Sequence, residues 1–226
     1  MEENNEVVDK SKRFSAGYYI NATGSFSDLI AKGVGEAGDY AMIPFMGQYR
    51  SISRDQLPLR TLVYPVPHPI NPFLGVHFTL TTDGRVKIGP TALPIFGREQ
   101  YSATSGWSIV DIKQGIAGVK SVAAGEAHSL IEIMRSEIPN IRLKNLIAEG
   151  AKLAPQAASI KKWTKKPPGI RAQLVHLPSG TLVQDFKVIS YKNSTHILNA
   201  VSPGWTCSLP FGRYIVDQIY SPKKES

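Results

Sequence analysis

The chain has 226 residues, 42% hydrophobic and 19% charged, with a formal net charge of +8. That balance suits a globular protein of one large or two small domains with a sizeable core, and it carries no repeat or low-complexity tract. Cys207 is the single cysteine, which excludes a disulfide within one chain and a cysteine-built zinc cluster, and no metal site is expected.

Much of the positive excess sits at Lys161, Lys162, Lys165, Lys166, Lys223 and Lys224. No aromatic residues are interleaved as a single-strand nucleic-acid groove requires, so a solvated lysine face is expected and no nucleic-acid partner. A positive field still concentrates anions, whether small carboxylates, phosphates or an anionic membrane surface. The start, MEENNEVVDKSKRF, is polar and acidic, unlike a secretory or transit segment. No run reaches membrane-spanning length. An intracellular protein is expected, cytoplasmic or peripherally membrane-associated.

Along the chain, Gly17 to Ala22 (GYYINA) reads as a short buried strand. Thr23-Gly24 turns it into a helix to about Lys32, with Ser25 or Ser27 as the capping hydroxyl. Gly33, Gly35 and Gly38 spell G-x-G-x-x-G, but that motif binds a pyrophosphate only after a strand and before a helix. Here a helix precedes it and an extended run follows, so a loop is expected. From Met42 to Ile88 the runs AMIPFMGQYRSI, TLVYPVP, LGVHFTL and RVKIG read as strands, with a hairpin at Asp83-Gly84 because that pair tolerates positive φ. Helical spacing follows from about Ile109 to Leu153, in SLIEIMRSEI and RLKNLIAEGAKL. Trp107 to Ala124, with Gly115 and Gly118, reads as weaker, a surface or membrane-facing piece. KKPPG at Lys165 to Gly169 reads as a linker, and strands follow at Ile170 to Leu177, Leu182 to Ser190 and His196 to Ala200. Ser208 to Tyr220 reads as a terminal helix whose apolar face is Leu209, Phe211, Ile215, Val216 and Ile219.

These pieces resemble, in order, the FAD-dependent L-2-hydroxyglutarate dehydrogenase/oxidase family within the larger D-amino-acid-oxidase-like group. YYINATGSFSDLIAK is similar to the strand-glycine-helix that closes the family's first FAD-domain section, and MIPFMGQY to its PFRGEYY strand. LVYPVPHPINPFLGVHFT, DGRVKIGPTA and FGREQY resemble its substrate-domain signature, GIRAQLV and LVQDF its GVRAQ and LVDDF pair. HILNAVSPGWTCSLPFGRYIVDQI resembles the block that runs past the flavin ring into the last helix. Departures from the pattern are Gln48 for an acid, Thr91 for asparagine, Gln184 for aspartate, and Gly204-Trp205 for small residues, where an indole would either stack on a flavin or block it. The family's N-terminal dinucleotide-binding βαβ unit and its upstream histidine segment have no counterpart here.

The resemblance implies an α+β fold: an antiparallel or mixed substrate-domain sheet with helices, plus the remaining part of an FAD-binding α/β domain. The expected division is residues 1–40 as a partial FAD-binding segment, 41–165 as the substrate-binding domain and 166–226 as the return to the FAD domain. The implied reaction is oxidation of a small anionic 2-hydroxy dicarboxylate to the 2-oxo acid, with hydride passing to FAD, in the mitochondrion if the source is eukaryotic. Two alternatives stand beside it. One is a non-catalytic half or remnant that needs a separate FAD-domain chain, and the other a related amino-acid- or amine-oxidising flavoprotein.

Arginine suits carboxylates because its planar fork makes two parallel charged hydrogen bonds. Arg98 in the matched GRE motif is therefore a candidate substrate clamp, or else half of a surface ion pair with Glu99 or another acid. His77 is a candidate proton acceptor or substrate ligand, or a hydrogen-bonded core histidine. Tyr64 would bind substrate or simply pack. Arg171 resembles the family arginine near the flavin, a catalytic and cofactor-binding candidate, or else a linker-adjacent salt bridge. For FAD the resemblance points to Thr23, Gly24, Ser202, Pro203, Gly204, Thr206 and Ser208, because amides at a helix start favour negative charge; simple capping by Thr206 or Ser208 is the alternative. His68, His128 and His176 lack a supporting motif, as does Cys207.

Overall fold

The computed structural model describes residues 6–9, 12–66, 75–102, 106, 108–124, 135 and 137–220. The chain divides into two compact units, residues 1–38 with 183–226 and residues 39–182. The first unit opens with strands β1 (Glu6–Asp9), β2 (Lys12–Ser15) and β3 (Tyr19–Asn21) and helix α1 (Ser27–Gly33). The second is built from β4 (Tyr40–Ser53), β5 (His77–Leu80), β6 (Arg85–Gly89), β7 (Leu93–Pro94), α2 (Ile109–Ala124), α3 (Leu143–Ala151), β8 (Thr164–His176) and β9 (Thr181–Leu182). The chain then completes the first unit with β10 (Lys187–Tyr191), β11 (Ser194–Asn199) and α4 (Ser208–Tyr220).

In the second unit the strands form one antiparallel sheet in the order β5-β6-β4-β8-β9, with β7 also paired to β4. Strand β4 is its spine, and its rich supply of aromatic and branched side chains suits a pleated surface buried on both faces. One core cluster gathers Ile43, Phe45, Ala92, Val122, Val175 and Leu182. A second gathers Ile52, Leu57, Val76, Phe78, Val86, Ile88, Leu146, Ala154 and Ala157. Helix α2 supplies Val122 to the first and α3 supplies Leu146 to the second, so each helix closes one stretch of the sheet.

The first unit holds a three-stranded sheet, β10-β11-β3, in which β11 pairs antiparallel with β10 and parallel with β3. Asn21 at the end of β3 organises the turn into α1. Its side-chain amide donates to the Ser27 carbonyl at 2.7 Å, and its Oδ1 accepts from the Thr23 amide at 3.3 Å and the Thr23 hydroxyl at 2.7 Å. The same amide nitrogen lies 3.0 Å from His196 Nδ1, which must then accept, leaving the Nε2 proton for Ser194 Oγ at 3.0 Å. Strands β1 and β2 pair with each other in a separate two-stranded sheet.

Several expectations need correction. The boundary expected at 165–166 falls inside β8, and the second unit runs on to Leu182. KKPPG is not a linker but part of β8: Gly47 pairs with Gly169 and Tyr49 with Lys166, so Gln48 faces Pro167 and Pro168 together. A bulge of this kind tolerates prolines, whose missing N–H costs no ladder bond there. TLVYPVP forms no strand over its described part, where Val63 makes only an isolated bridge to Phe78. Residues 109–124 form a regular helix seated on β4, where the Gly118 Cα approaches Ile43 so closely that an added Cβ would stand 2.9 Å from its Cδ1. Neither Ser25 nor Ser27 caps α1; a 3-10 turn over Gly24–Phe26 leads into it, and the Ser27 hydroxyl donates to the Leu198 carbonyl at 3.3 Å. The strand expected over Leu182 to Ser190 is broken, with β9 ending at Leu182 and β10 beginning at Lys187. On α4 only Ile215 of the expected apolar face is fully buried, and Leu209 and Val216 are exposed. The motif SLIEIMRSEI lies largely outside the described residues, as does His68.

Candidate active site

A cavity of about 300 Å³ opens in the second unit, lined by Phe45, Gly47 and Tyr49 from β4, Gly75 and His77 at β5, and Gly169 and Arg171 from β8. Pro90, Thr91, Ala92 and Glu137 also line it. The wall follows from strand geometry. Side chains two apart share a face, so Phe45, Gly47 and Tyr49 line up, and antiparallel register sets Phe45 opposite Arg171 and Gly47 opposite Gly169. Glycine at position 47 lets Pro90 pack against β4, where an added Cβ would stand 2.7 Å from the Pro90 Cβ, and a Cβ at Gly169 would make only ordinary contact with the Tyr49 ring at 3.6 Å.

His77 is the basic group of this cavity. Its Nδ1 lies 2.9 Å from the Gly75 carbonyl oxygen. A carbonyl only accepts, so Nδ1 carries the proton and the Nε2 lone pair is left to take one. Burial, with a smaller contribution from the Lys87 charge and against the Gly75 hydrogen bond, lowers His77 below the ordinary histidine value. It is therefore a neutral imidazole at physiological pH. Tyr64 stacks on its ring with centroids 4.3 Å apart, which fixes the imidazole plane. Burial, helped by Tyr64, raises Tyr49, and Lys87 Nζ sits 4.2 Å from the centre of the Tyr49 ring.

Arg171 supplies the cavity's positive charge. Burial lowers it from its ordinary value, a guanidinium stays protonated in the physiological range, and its Nη2 reaches Gln173 Oε1 at 3.4 Å. Glu137 is a residue that sequence reasoning passed over. It is 5% exposed, and its Oε2 accepts the Ala92 amide at 3.2 Å. Burial raises its carboxyl above the ordinary glutamate value; repulsion from Glu149 adds to this, and bonds from Ala92 and Asn140 oppose it. Nothing local in the helical spacing around Glu137 marks it, because the amide that fixes its carboxyl comes from Ala92, forty-five residues earlier.

Arg98 stands elsewhere. Of the alternatives left open for it, the structure shows an ion pair, but a buried one with Asp111 rather than a surface one with Glu99: Nε to Oδ1 at 2.7 Å, the Arg98 amide to Oδ2 at 3.2 Å and Nη2 to Gln114 Oε1 at 2.6 Å. Both charged side chains are buried, at 1% and 6% exposure, and Arg98 is not among the residues lining the cavity. So His77 and Arg171 line one cavity, Tyr64 reaches it only through its stack on the His77 ring, and Arg98 is left out.

In the first unit a groove of about 350 Å³ is walled by Ile20, Ile197, Phe211, Ile215 and Val216 and floored by Ala22, Gly24, Ala200, Gly204, Ser208 and Gly212. A Cβ added at Gly24 or Gly212 would meet nothing within 4 Å, so the small residues leave an open cradle. Among the expected cofactor residues, Gly24, Gly204 and Ser208 line this groove. Thr23 is spent on Asn21, Thr206 donates to the Pro203 carbonyl at 3.1 Å, and Ser202 and Pro203 shape the exposed turn before α4. Trp205 is 92% exposed and does not fill the groove.

A family model described as FAD dependent oxidoreductase matches residues 2–218. The chain belongs to the FAD-dependent oxidoreductase family. The L-2-hydroxyglutarate dehydrogenase of Escherichia coli K12 is 30% identical over 226 residues, covering 96% of this chain and 52% of that protein. The mitochondrial L-2-hydroxyglutarate dehydrogenase of Homo sapiens is 30% identical, with 93% and 46% covered. This member of the family thus spans about half the length of the curated relatives it matches. Its fold is similar to part of an L-alpha-glycerophosphate oxidase from Mycoplasma pneumoniae solved with FAD bound, at a TM-score of 0.52 and 17% identity over 95% of this chain and 45% of that one. An apolar-walled groove with a floor of glycine and alanine fits a flat ring system such as the cofactor this oxidoreductase family uses. Among the described residues, no helix is long and apolar enough to cross a membrane.

Proposed function

We propose that this chain is the substrate-facing part of an FAD-dependent dehydrogenase that oxidises a 2-hydroxy dicarboxylate of the L-2-hydroxyglutarate type to its 2-oxo acid. The observation that carries the proposal is the pairing, in one cavity, of a neutral His77 with Nε2 turned acceptor and a buried Arg171. Oxidising a secondary alcohol removes a proton from oxygen and a hydride from carbon, so a site for it needs a base and a means of holding the acid in one pose. Arg171 binds the carboxylate beside the reacting carbon through its fork. His77 Nε2 takes the hydroxyl proton as the carbonyl forms, and the Tyr64 stack with the Gly75 bond keeps the imidazole aimed. When bound, FAD supplies the two-electron acceptor for the hydride. Gly24, Ala200, Gly204, Ser208 and Gly212 would hold it against Ile20, Phe211 and Ile215 in the groove of the first unit. The names of the relatives support this substrate class, and the human relative's name places that protein in the mitochondrion.

The test is spectroscopic. The purified chain, supplied with FAD and, in a second arm, with a separately expressed dinucleotide-binding half of a relative, is mixed anaerobically with L-2-hydroxyglutarate. Bleaching of the oxidised flavin band in either arm, abolished in His77→Asn, is the expected result. Flavin that binds in the reconstituted arm yet stays oxidised would overturn the substrate assignment.

A further inference from the structure

We propose that Glu137 is a specificity residue of this cavity which, as the neutral acid, donates a hydrogen bond to the second carboxylate of a dicarboxylate ligand while Arg171 holds the first. The inference rests on the reading of the cavity as a 2-hydroxy acid site and deepens it. Among the described lining residues Arg171 is the one permanent cation and Glu137 the one carboxyl. A dicarboxylate brings two negative charges to that single cation. An ionised Glu137 would meet it as a third negative group and repel it, whereas one proton shared between two carboxyls converts the repulsion into a short, charge-assisted O–H···O⁻ bond.

The geometry holds Glu137 ready for this. Its carboxyl is pinned to the cavity wall by the Ala92 amide and the Asn140 side chain, and it is almost wholly out of solvent. Burial already favours the neutral form. The other titratable residues of the lining are Arg171, His77 and Tyr49, and Glu149 from α3 acts on Glu137 by repulsion. Glu149 favours protonation, and an arriving second carboxylate adds to that side. Selectivity follows, because a monocarboxylate has nothing to accept the proton and gains only the Arg171 contact.

Calorimetric titration reads this without turnover. The full chain, with and without FAD, is titrated with 2-oxoglutarate and with 2-oxobutyrate across neutral pH, in buffers of contrasting ionisation enthalpy. The unsubstituted chain is expected to take up a proton when it binds 2-oxoglutarate, with affinity falling by up to about tenfold per pH unit where free Glu137 is ionised. 2-Oxobutyrate should show no such uptake from Glu137. Glu137→Gln keeps a donor that cannot ionise, so its 2-oxoglutarate affinity should lose that proton uptake and that slope. The uptake by the unsubstituted chain stands as evidence even if the variant folds poorly. Equal uptake and slope for both keto acids, or for both proteins, would overturn the inference alone. So would L-glutamate binding ever more tightly as pH rises, which would make Glu137 an anionic partner for an ammonium group. Absence of binding by either keto acid at every pH would overturn the function reading together with it.

Discussion

Removing the Arg98 side chain leaves Asp111 buried without its cation. One-sided loss of a buried pair costs about 3–5 kcal/mol, so Arg98→Ala should unfold at markedly lower urea, whereas the apolar double replacement Arg98→Met with Asp111→Leu should recover most of that stability. Arg171→Lys should behave differently. It keeps the charge and loses the fork, and the expected effect is a rise in KM of about tenfold or more with little change in unfolding midpoint. Steady-state kinetics of the reconstituted enzyme beside urea melts separates the two arginines. The sequence carried both roles for Arg98 because its motif resembles a substrate signature. The acid that claims it, Asp111, lies thirteen residues on across a loop, at no helical or strand period. His77 gives the third residue-scale expectation. Its value is lowered by burial, so as a base it stays competent to below the ordinary histidine range, and the acid limb of kcat/KM should set in only below about pH 6.5, separate from the alkaline loss that ionisation of Glu137 brings. The stability sign agrees: the unfolded chain binds the proton more readily, so stability is fully present above the unfolded value and is lost as pH falls toward the folded one. An acid limb of kcat/KM that begins well above that range would rule out neutral His77 as the base.

At the scale of elements, what was legible depended on how local the cause is. The hairpin between β5 and β6 was plain because Asp83-Gly84 carries its own turn chemistry, and Gly84 indeed takes φ +72°. Strand β8 was not plain, because Pro167-Pro168-Gly169 reads as a linker until β4 is placed beside it and the bulge absorbs both prolines. The same dependence on neighbours hid Glu137 among apparently structural helical residues. Helix packing offers a direct check. A Cβ at Gly150 in α3 would stand 2.5 Å from Ile88 Cδ1 and 2.9 Å from Phe78 Cζ, while one at Gly115 in α2 would meet nothing within 4 Å. Gly150→Val should destabilise by about 1–3 kcal/mol through overpacking. Gly115→Ala should instead stabilise by up to about 1 kcal/mol, since alanine is the better helix former and no neighbour has to move. Thermal melts of the two single variants showing shifts of the same sign would contradict this account of how α2 and α3 sit on the sheet.

At the scale of the whole molecule, the two units carry different chemical surfaces, and this assigns different ligands to them. The cavity at β4, β5 and β8 is charged and hydrogen-bonding, and the groove at β3, β11 and α4 is apolar and floored by small residues. The order of these pieces along the chain was readable from their resemblance, but the point at which the chain leaves one unit for the other was not, since β8 belongs by its hydrogen bonds to the sheet that β4 begins. Hydrogen exchange tests the assignment peptide by peptide. Ligand bound at one hundred times its Kd stabilises its site by about 2.7 kcal/mol, enough to slow local opening of contacted segments roughly a hundredfold. FAD should therefore protect amides of residues 20–33 and 194–216, and 2-oxoglutarate those of 43–51, 75–80 and 169–175. The Arg171→Lys chain should lose the second pattern and keep the first. Protection of 169–175 by FAD alone would instead place Arg171 with the cofactor, which is the role its resemblance implied, and would transfer the carboxylate clamp to another residue.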